Sequence, residues 1–368
     1  MPSHALLLLA LASAVAADYR SGPSPLNVDP TDTSNPVLVG KRFPYTDIPY
    51  QADTTTSERG SQYGYNRCNS TTEGQSSLCQ TAIINSLDDF CLWGPPKANV
   101  PIGDSESYEV AWCTKPTHGA RLIPAGALTG VQFIKTPSYV QITGRLNQEL
   151  LNLPTGDYGG ELDSGGQDGR GNPIGGLVYA AQLPGGTTDV PAQAASWHNF
   201  IGGDVFCFKA CDPNAANAVG LCQHIYDRIG CAFNAPADYT DGVFLSCLGD
   251  DQDPVGLYTL PDGSTTYYKQ PAESLGAVTT MPYVAKLPAT SSCTTHSSAE
   301  LYSGLPTVSG SLATSTGTSS SSSSSGSKAN SASASSPQSS QAGAGVHGRH
   351  ASLAGVLAAA IFGAAYGA

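Results

Sequence analysis

The chain has little charge, and least of all basic charge. Only 12% of its residues are Asp, Glu, Lys or Arg, and 17 Lys and Arg stand against 29 Asp and Glu. A formal net charge of -12 leaves no basic stripe to neutralise phosphates, which argues against a nucleic-acid partner and against docking of a folded domain on anionic lipid. Several catalytic signatures are also missing. No C-x-x-C occurs, so neither a zinc ribbon nor a thioredoxin-type site is supported. There is no G-x-S-x-G elbow and no H-E-x-x-H pair. Gly103-Asp104-Ser105 is only a fragment of a lipase-like block, because no Asp-x-x-His completes it. His118, His198 and His224 lie far apart along the chain. A mature chain beginning near Asp18 or at Phe43 would present no N-terminal histidine for copper.

What is present first describes a destination. Leu6 to Leu11 is apolar and Ala14-Val15-Ala16-Ala17 offers small residues for cleavage, so residues 1–17 read as a secretory leader. Residues 18–42 form a Pro- and Asp-containing segment that ends in Lys41-Arg42, where a processing protease could cut. At the other end, Ala342-Gly343-Ala344-Gly345, a polar spacer and an apolar tail from Leu353 to Ala368 have the order of a glycosylphosphatidylinositol signal. Residues 342–368 are assigned to it, with Ala342 and Gly343 as candidate attachment residues. Of the 40 residues from 302 to 341, 22 are Ser or Thr, too polar a composition to fold, as expected of an O-glycosylated stalk. The expected location is extracellular, with a lipid anchor in the outer leaflet and cell-wall polysaccharide as neighbour.

Between these signals, residues 43–301 form the expected globular domain. Ten cysteines behind a leader read as a disulfide framework. Cys68, Cys79, Cys91 and Cys113 form one group, and Cys207, Cys211, Cys222, Cys231, Cys247 and Cys293 another; the pairing within each group stays open. The fold class expected is mainly β: a disulfide-stapled, sandwich-like domain with one or two short helices. Alternation in Tyr108-Glu109-Val110-Ala111-Trp112-Cys113 predicts a strand. Phe90 to Trp93 is an apolar run stopped by Gly94-Pro95-Pro96, and further strands are predicted around Val131 to Phe133, Tyr139 to Ile142, Leu177 to Ala180, Asp204 to Phe208, Gly242 to Leu248, Gly256 to Leu260 and Ser264 to Lys269. Short helices are predicted over Ser77 to Leu87 and from Asp212 to Gly230, the second carrying Cys222, Ile225 and Ile229 on a buried face.

Candidate sites are few. Asn69-Ser70-Thr71 is the one N-glycosylation sequon, which places Asn69 on an exposed loop. The acidic, glycine-rich stretch from Pro154 to Pro173 brings Asp157, Glu161, Asp163 and Asp168 close in sequence. Such oxygens could collect calcium, the one cofactor considered, although the spacing fits neither an EF-hand nor an RTX repeat. The simpler expectation is a polar loop in which Arg170 neutralises a carboxylate. The same carboxylates could also supply the acid and base of glycoside cleavage. Trp197, Tyr267 and Tyr268 are candidate glycan contacts, weighed against ordinary interior packing; Trp93 and Trp112 are expected in the core.

Four blocks add a resemblance: Cys68-Asn69-Ser70-Thr71-Thr72, Asp88-Asp89-Phe90-Cys91-Leu92-Trp93, Val110-Ala111-Trp112-Cys113-Thr114-Lys115 and Ile225-Tyr226-Asp227-Arg228-Ile229-Gly230-Cys231. Together they resemble the basidiomycete immunoreactive mannoproteins, also called macrophage-activating glycoproteins. The resemblance runs from about Tyr63 to Leu301 and on into the Ser-rich end. It implies a secreted, mannosylated, anchored protein of the cell wall or membrane, recognised by host lectin receptors through its glycans, and it implies no catalytic residues. The expected role is therefore structural, adhesive or glycan-contacting. The alternatives are a carbohydrate-active enzyme using the 157–168 carboxylates and a calcium-stabilised adhesin.

Overall fold

The computed structural model describes residues 37–303. The leader, the anchor signal with Ala342 and Gly343, and nearly all of the Ser/Thr-rich segment lie outside the described residues. A small hairpin, β1 (Thr56–Ser57) and β2 (Gly60–Ser61), precedes two large sheets. The first contains β3 (Thr81–Ser86), β4 (Asp89–Gly94), β5 (Val110–Cys113), β6 (Arg121–Leu122), β10 (Leu177–Ala180) and β11 (Ala192–Ala194), in the order β11-β10-β3-β4-β5-β6. The second contains β7 (Leu128–Lys135), β8 (Tyr139–Leu146), β9 (Gly160–Asp163), β12 (Ser196–Gly202), β13 (Val205–Cys211), β14 (Phe244–Gly249) and β17 (Thr290–Thr295). Its order is β17-β14-β7-β8-β13-β12-β9, and a hairpin of β15 (Leu257–Thr259) and β16 (Thr265–Tyr267) stands apart. The domain is mainly β, as its composition implies, with helices of no more than five residues such as Ile102–Ser105 and Gly230–Asn234.

The sheets meet face to face because facing positions are large and apolar. Residues directly opposite across an antiparallel pair share a face. Register therefore puts Trp197, Asn199 and Ile201 of β12 beside Ala210, Phe208 and Phe206 of β13, and these beside Val140, Ile142 and Gly144 of β8. Phe90 of the first sheet stacks on Phe206 at 6.1 Å, and Trp93 meets Trp197 at 5.8 Å. Asn199, buried among them, accepts from the Trp93 amide at 3.0 Å and donates to the Phe200 and Cys207 carbonyls, so its polar groups are satisfied. Gly144 is required here: a Cβ at that position would fall 2.8 Å from the Phe206 ring.

All ten cysteines are paired, within the two groups: Cys68–Cys79, Cys91–Cys113, Cys207–Cys231, Cys211–Cys222 and Cys247–Cys293. Two predicted helices do not form. Ser77 to Leu87 contains strand β3, whose Ala82, Ile83 and Ile84 are buried on both faces. A short run buried all round has no periodicity to separate strand from helix. Ser77 does not cap a helix; its hydroxyl donates to Gly119 O and accepts from the Cys79 amide. From Asp212 to Ile229 only Ala218–Leu221 is helical, and the next helix begins at Gly230. Asp212 Oδ1 accepts from the Asn214 amide in a local turn, Gln223 Oε1 takes the Ile225 amide, and Ile225 is 48% exposed rather than buried. Cys222 is nevertheless tied to β13 through Cys211, as expected.

The folded unit takes in residues on both sides of the 43–301 segment. Leu38 is buried and its amide donates to Gly169 O at 2.7 Å; Lys41 Nζ reaches Ala52 O and Asp53. At the other end, Tyr302 both accepts from the Leu128 amide at 2.6 Å and donates to its carbonyl. Among the described residues no helix is long and apolar enough to cross a membrane.

Candidate functional site: an acidic cleft at a sheet edge

The outer face of the second sheet carries two cross-strand rows. One runs Asp163, His198, Lys209, Gln141; the other runs Glu161, Phe200, Cys207, Thr143. Polar side chains on a sheet face normally meet water, but most of these are covered by the segment that follows β13. Lys209 is fully buried there, its ammonium donating to Leu221 O, Asn234 O and Gln252 Oε1 and lying 4.8 Å from the Tyr139 ring centroid. Cys207–Cys231 and Cys211–Cys222 bolt this cover to β13. It stops short of the edge strand β9. There a cleft of about 600 Å³ opens, lined by Glu106, Glu161, Asp163, Phe200, His224 and Asp227 among others.

Each wall has its own origin. Glu106 follows the short helix Ile102–Ser105, and its Oε2 accepts from Gln167 Nε2 and Asn172 Nδ2, both at 3.1 Å. Glu161 and Asp163 alternate with Leu162, which points into the core at 0% exposure, so β9 sends both carboxyls outward. Asp163 Oδ1 accepts from the amides of Gly165 and Gly166 at 2.6 and 2.8 Å and lies 3.9 Å from His224 Nδ1. Gly165 lets them approach: a Cβ there would sit 2.9 Å from both Asp163 Oδ1 and the His224 ring. His224 and Asp227 come from the turn held down by Cys207–Cys231, and Gln270 donates to Asp227.

Glu161 is the unusual member. Only 6% exposed, it has an Oε1 that accepts no hydrogen bond. His198 Nδ1 is 3.7 Å away but donates to Gln223 O at 3.3 Å. Burial holds the Glu161 carboxyl well above the usual range, with Asp163, Asp227 and Glu106 adding repulsion. Burial likewise raises Asp163, opposed by His224, and lowers His198 well below its ordinary value, with Lys209 adding to the effect. Glu106 is pushed up to about 7, chiefly by burial, while the Gln167 hydrogen bond pulls the other way.

These shifts predict a pH dependence. Glu106 has an ordinary value of 4.5 and a folded value of about 7, so between these the folded state binds the extra proton. Its stabilising contribution is whole below pH 4.5 and lost as pH rises through 7. The loss is on the order of 2 kcal/mol after allowance for partial solvent screening. The thermal midpoint is expected to fall between pH 5 and pH 8, and Glu106→Gln to flatten that slope. An unchanged slope in the variant would rule Glu106 out as its source.

The four carboxylates close together in sequence thus divide among separate tasks. Only Glu161 and Asp163 enter the cleft. Asp157 takes the amides of Ile102 and Gly159 through its two oxygens. Asp168 pairs with Arg59 at 2.6 Å, and Arg170 reaches it at 3.6 Å while binding Asp53 with two hydrogen bonds. Among the described residues no group of three or more His, Cys, Asp or Glu side chains is arranged to hold a metal ion. Trp197 is not a surface contact: at 2% exposure it fills the core between Trp93 and Phe208. Tyr267 and Tyr268 are half-buried at the end of β16, Tyr268 against Tyr226 at 6.0 Å, and neither lines the cleft. Asn69 is exposed, its Oδ1 accepting from the Thr71 amide and hydroxyl. Sequence reading missed Glu106, His224 and Asp227, which no local spacing links. It also missed β9, whose one signal was Leu162 between two carboxylates.

No protein-family model and no solved structure matches the chain. Two relatives from the basidiomycete Mycosarcoma maydis do. Over 204 residues, 55% of this chain and 46% of the relative, it is 46% identical to the appressorium protein ROW1. Over 223 residues, 60% of this chain and 74% of the relative, it is 41% identical to the appressorium protein ROW2. The chain belongs to the ROW family. It spans 46% of the length of ROW1 and 74% of that of ROW2, so the likeness to ROW1 concerns less than half of that protein.

Proposed function

We propose that this ROW-family chain is a secreted protein of the fungal cell surface that contacts wall glycan through the cleft beside β9. The carrying observation is the cleft itself: buried carboxyls, two amides and the Phe200 ring converge on one open space of a size that suits a small oligosaccharide. Five disulfides suit an extracellular, non-reducing setting. The exposed sequon at Asn69 and the Ser/Thr-rich C-terminal segment support glycosylation, and the order of residues from Ala342 to Ala368 supports a lipid anchor. Recognition of its mannose chains by host receptors belongs to the same reading, through the resemblance to the immunoreactive mannoproteins.

The test is retention of the secreted protein on a panel of insoluble wall polysaccharides. Binding to at least one is expected, reduced at least fivefold by Asp227→Asn with an unchanged thermal midpoint. Retention on none would end the reading. A second reading, glycoside hydrolysis, is favoured by Glu106 alone, since a carboxyl pushed up to about 7 suits a general acid. It requires release of new reducing ends from one of the same polysaccharides and loss of that release in Glu106→Gln.

A further inference from the structure

The cleft's charges are unequal. Glu106, Glu161, Asp163, Asp227 and Glu273 line it, against His224 and Arg228. Arg228 is already engaged: its guanidinium donates to Pro271 O and Gly276 O, so it faces carbonyls rather than the carboxyls. The amides of Gln167 and Asn172 both go to one oxygen of Glu106. No group among the described residues donates to the buried Oε1 of Glu161. A buried carboxyl oxygen without a donor is unfavourable, and a ligand that brings one removes that penalty. The missing component is therefore a hydrogen-bond donor that is also positively charged.

Resting on the glycan reading above, we infer that the cleft takes a cationic amino sugar, a hexosamine unit with a free ammonium group, in preference to neutral or N-acetylated glycan. The ammonium supplies up to three donors to Glu161, Asp163 and Asp227, and its charge offsets the burial and like-charge repulsion that disfavour an ionised Glu161. Phe200, paired across strands with Glu161 and 5% exposed, walls the cleft beside the carboxyls with an apolar edge rather than an open ring face. A basic peptide would bring the same charge but no hydroxyls for Gln167, Asn172 and His224.

The experiment is titration of the secreted full-length protein with four soluble probes of equal length. These are a glucosamine oligomer, its N-acetylated form, a β-glucan oligomer and oligolysine. The glucosamine oligomer is expected to bind at least tenfold more tightly than the other three and to weaken severalfold between 50 and 500 mM salt. Glu161→Gln is expected to lose at least fivefold for it, and Asp227→Asn serves if that variant fails to fold. Equal or tighter binding of the acetylated or glucan oligomer would overturn the amino-sugar inference and leave glycan contact standing. Tighter binding of oligolysine would overturn it in favour of a peptide ligand. Binding of none of the sugars would overturn both.

Discussion

Replacing Cys207 and Cys231 together by serine is expected to lower stability by about 2–4 kcal/mol and to abolish binding in the cleft. The stability loss follows from closing a loop between residues 24 apart, which restricts the unfolded chain. The binding loss has a separate cause. Cys231 anchors the turn that carries His224, Asp227 and Arg228, and Cys207 stands in the same cross-strand row as Glu161 and Phe200. With the bond gone, one wall of the cleft is no longer fixed against its floor. The control is Cys68→Ser with Cys79→Ser, which closes a loop of 11 residues in the N-terminal group and touches no lining residue. It should also lower the unfolding midpoint in urea, yet leave affinity unchanged for the molecules still folded. Equal affinity losses in both double variants would show that the staple acts through stability alone.

Trp197→Ala is expected to cost about 3–5 kcal/mol, the range for emptying a large aromatic site in a packed interior. Its ring lies 5.8 Å from those of both Trp93 and Phe208, so removal opens a void between the sheets that neither neighbour can fill without leaving its rotamer. A surface sugar contact would behave in the opposite way, losing affinity at constant stability. Thermal denaturation with glycan binding separates the two outcomes. Trp197→Phe should recover much of the loss.

That tryptophan shows what a sequence can and cannot say. Trp197-His198-Asn199 is amphipathic enough to read as a sugar-binding surface, and only register reveals that Trp197 and Asn199 face inward while His198 faces out. Several strands were legible, because alternation at Val110 to Cys113 and apolar runs such as Tyr139 to Ile142 are local signals, whereas β3 and β9 were not. Cysteine grouping was legible for a similar reason: each bond closes a loop of 11 to 46 residues within its own half. The helix expected from Asp212 failed because buried Lys209 and the Cys211–Cys222 bond claim that segment's carbonyls and direction. The cleft was hardest to see. Its carboxyls come from Glu106, from β9 and from Asp227, segments more than 50 residues apart that only the tertiary fold makes neighbours.

That strand order also governs how the protein would present its cleft. The last described residues are moored by Tyr302 at Leu128, where β7 begins, and β9 lies four strand intervals further across the sheet. At ~4.8 Å per interval, the exit of the chain and the mouth of the cleft stand about 20 Å apart. The point where the described chain ends is therefore remote from the edge strand that carries the cleft, and the mouth stays clear of it.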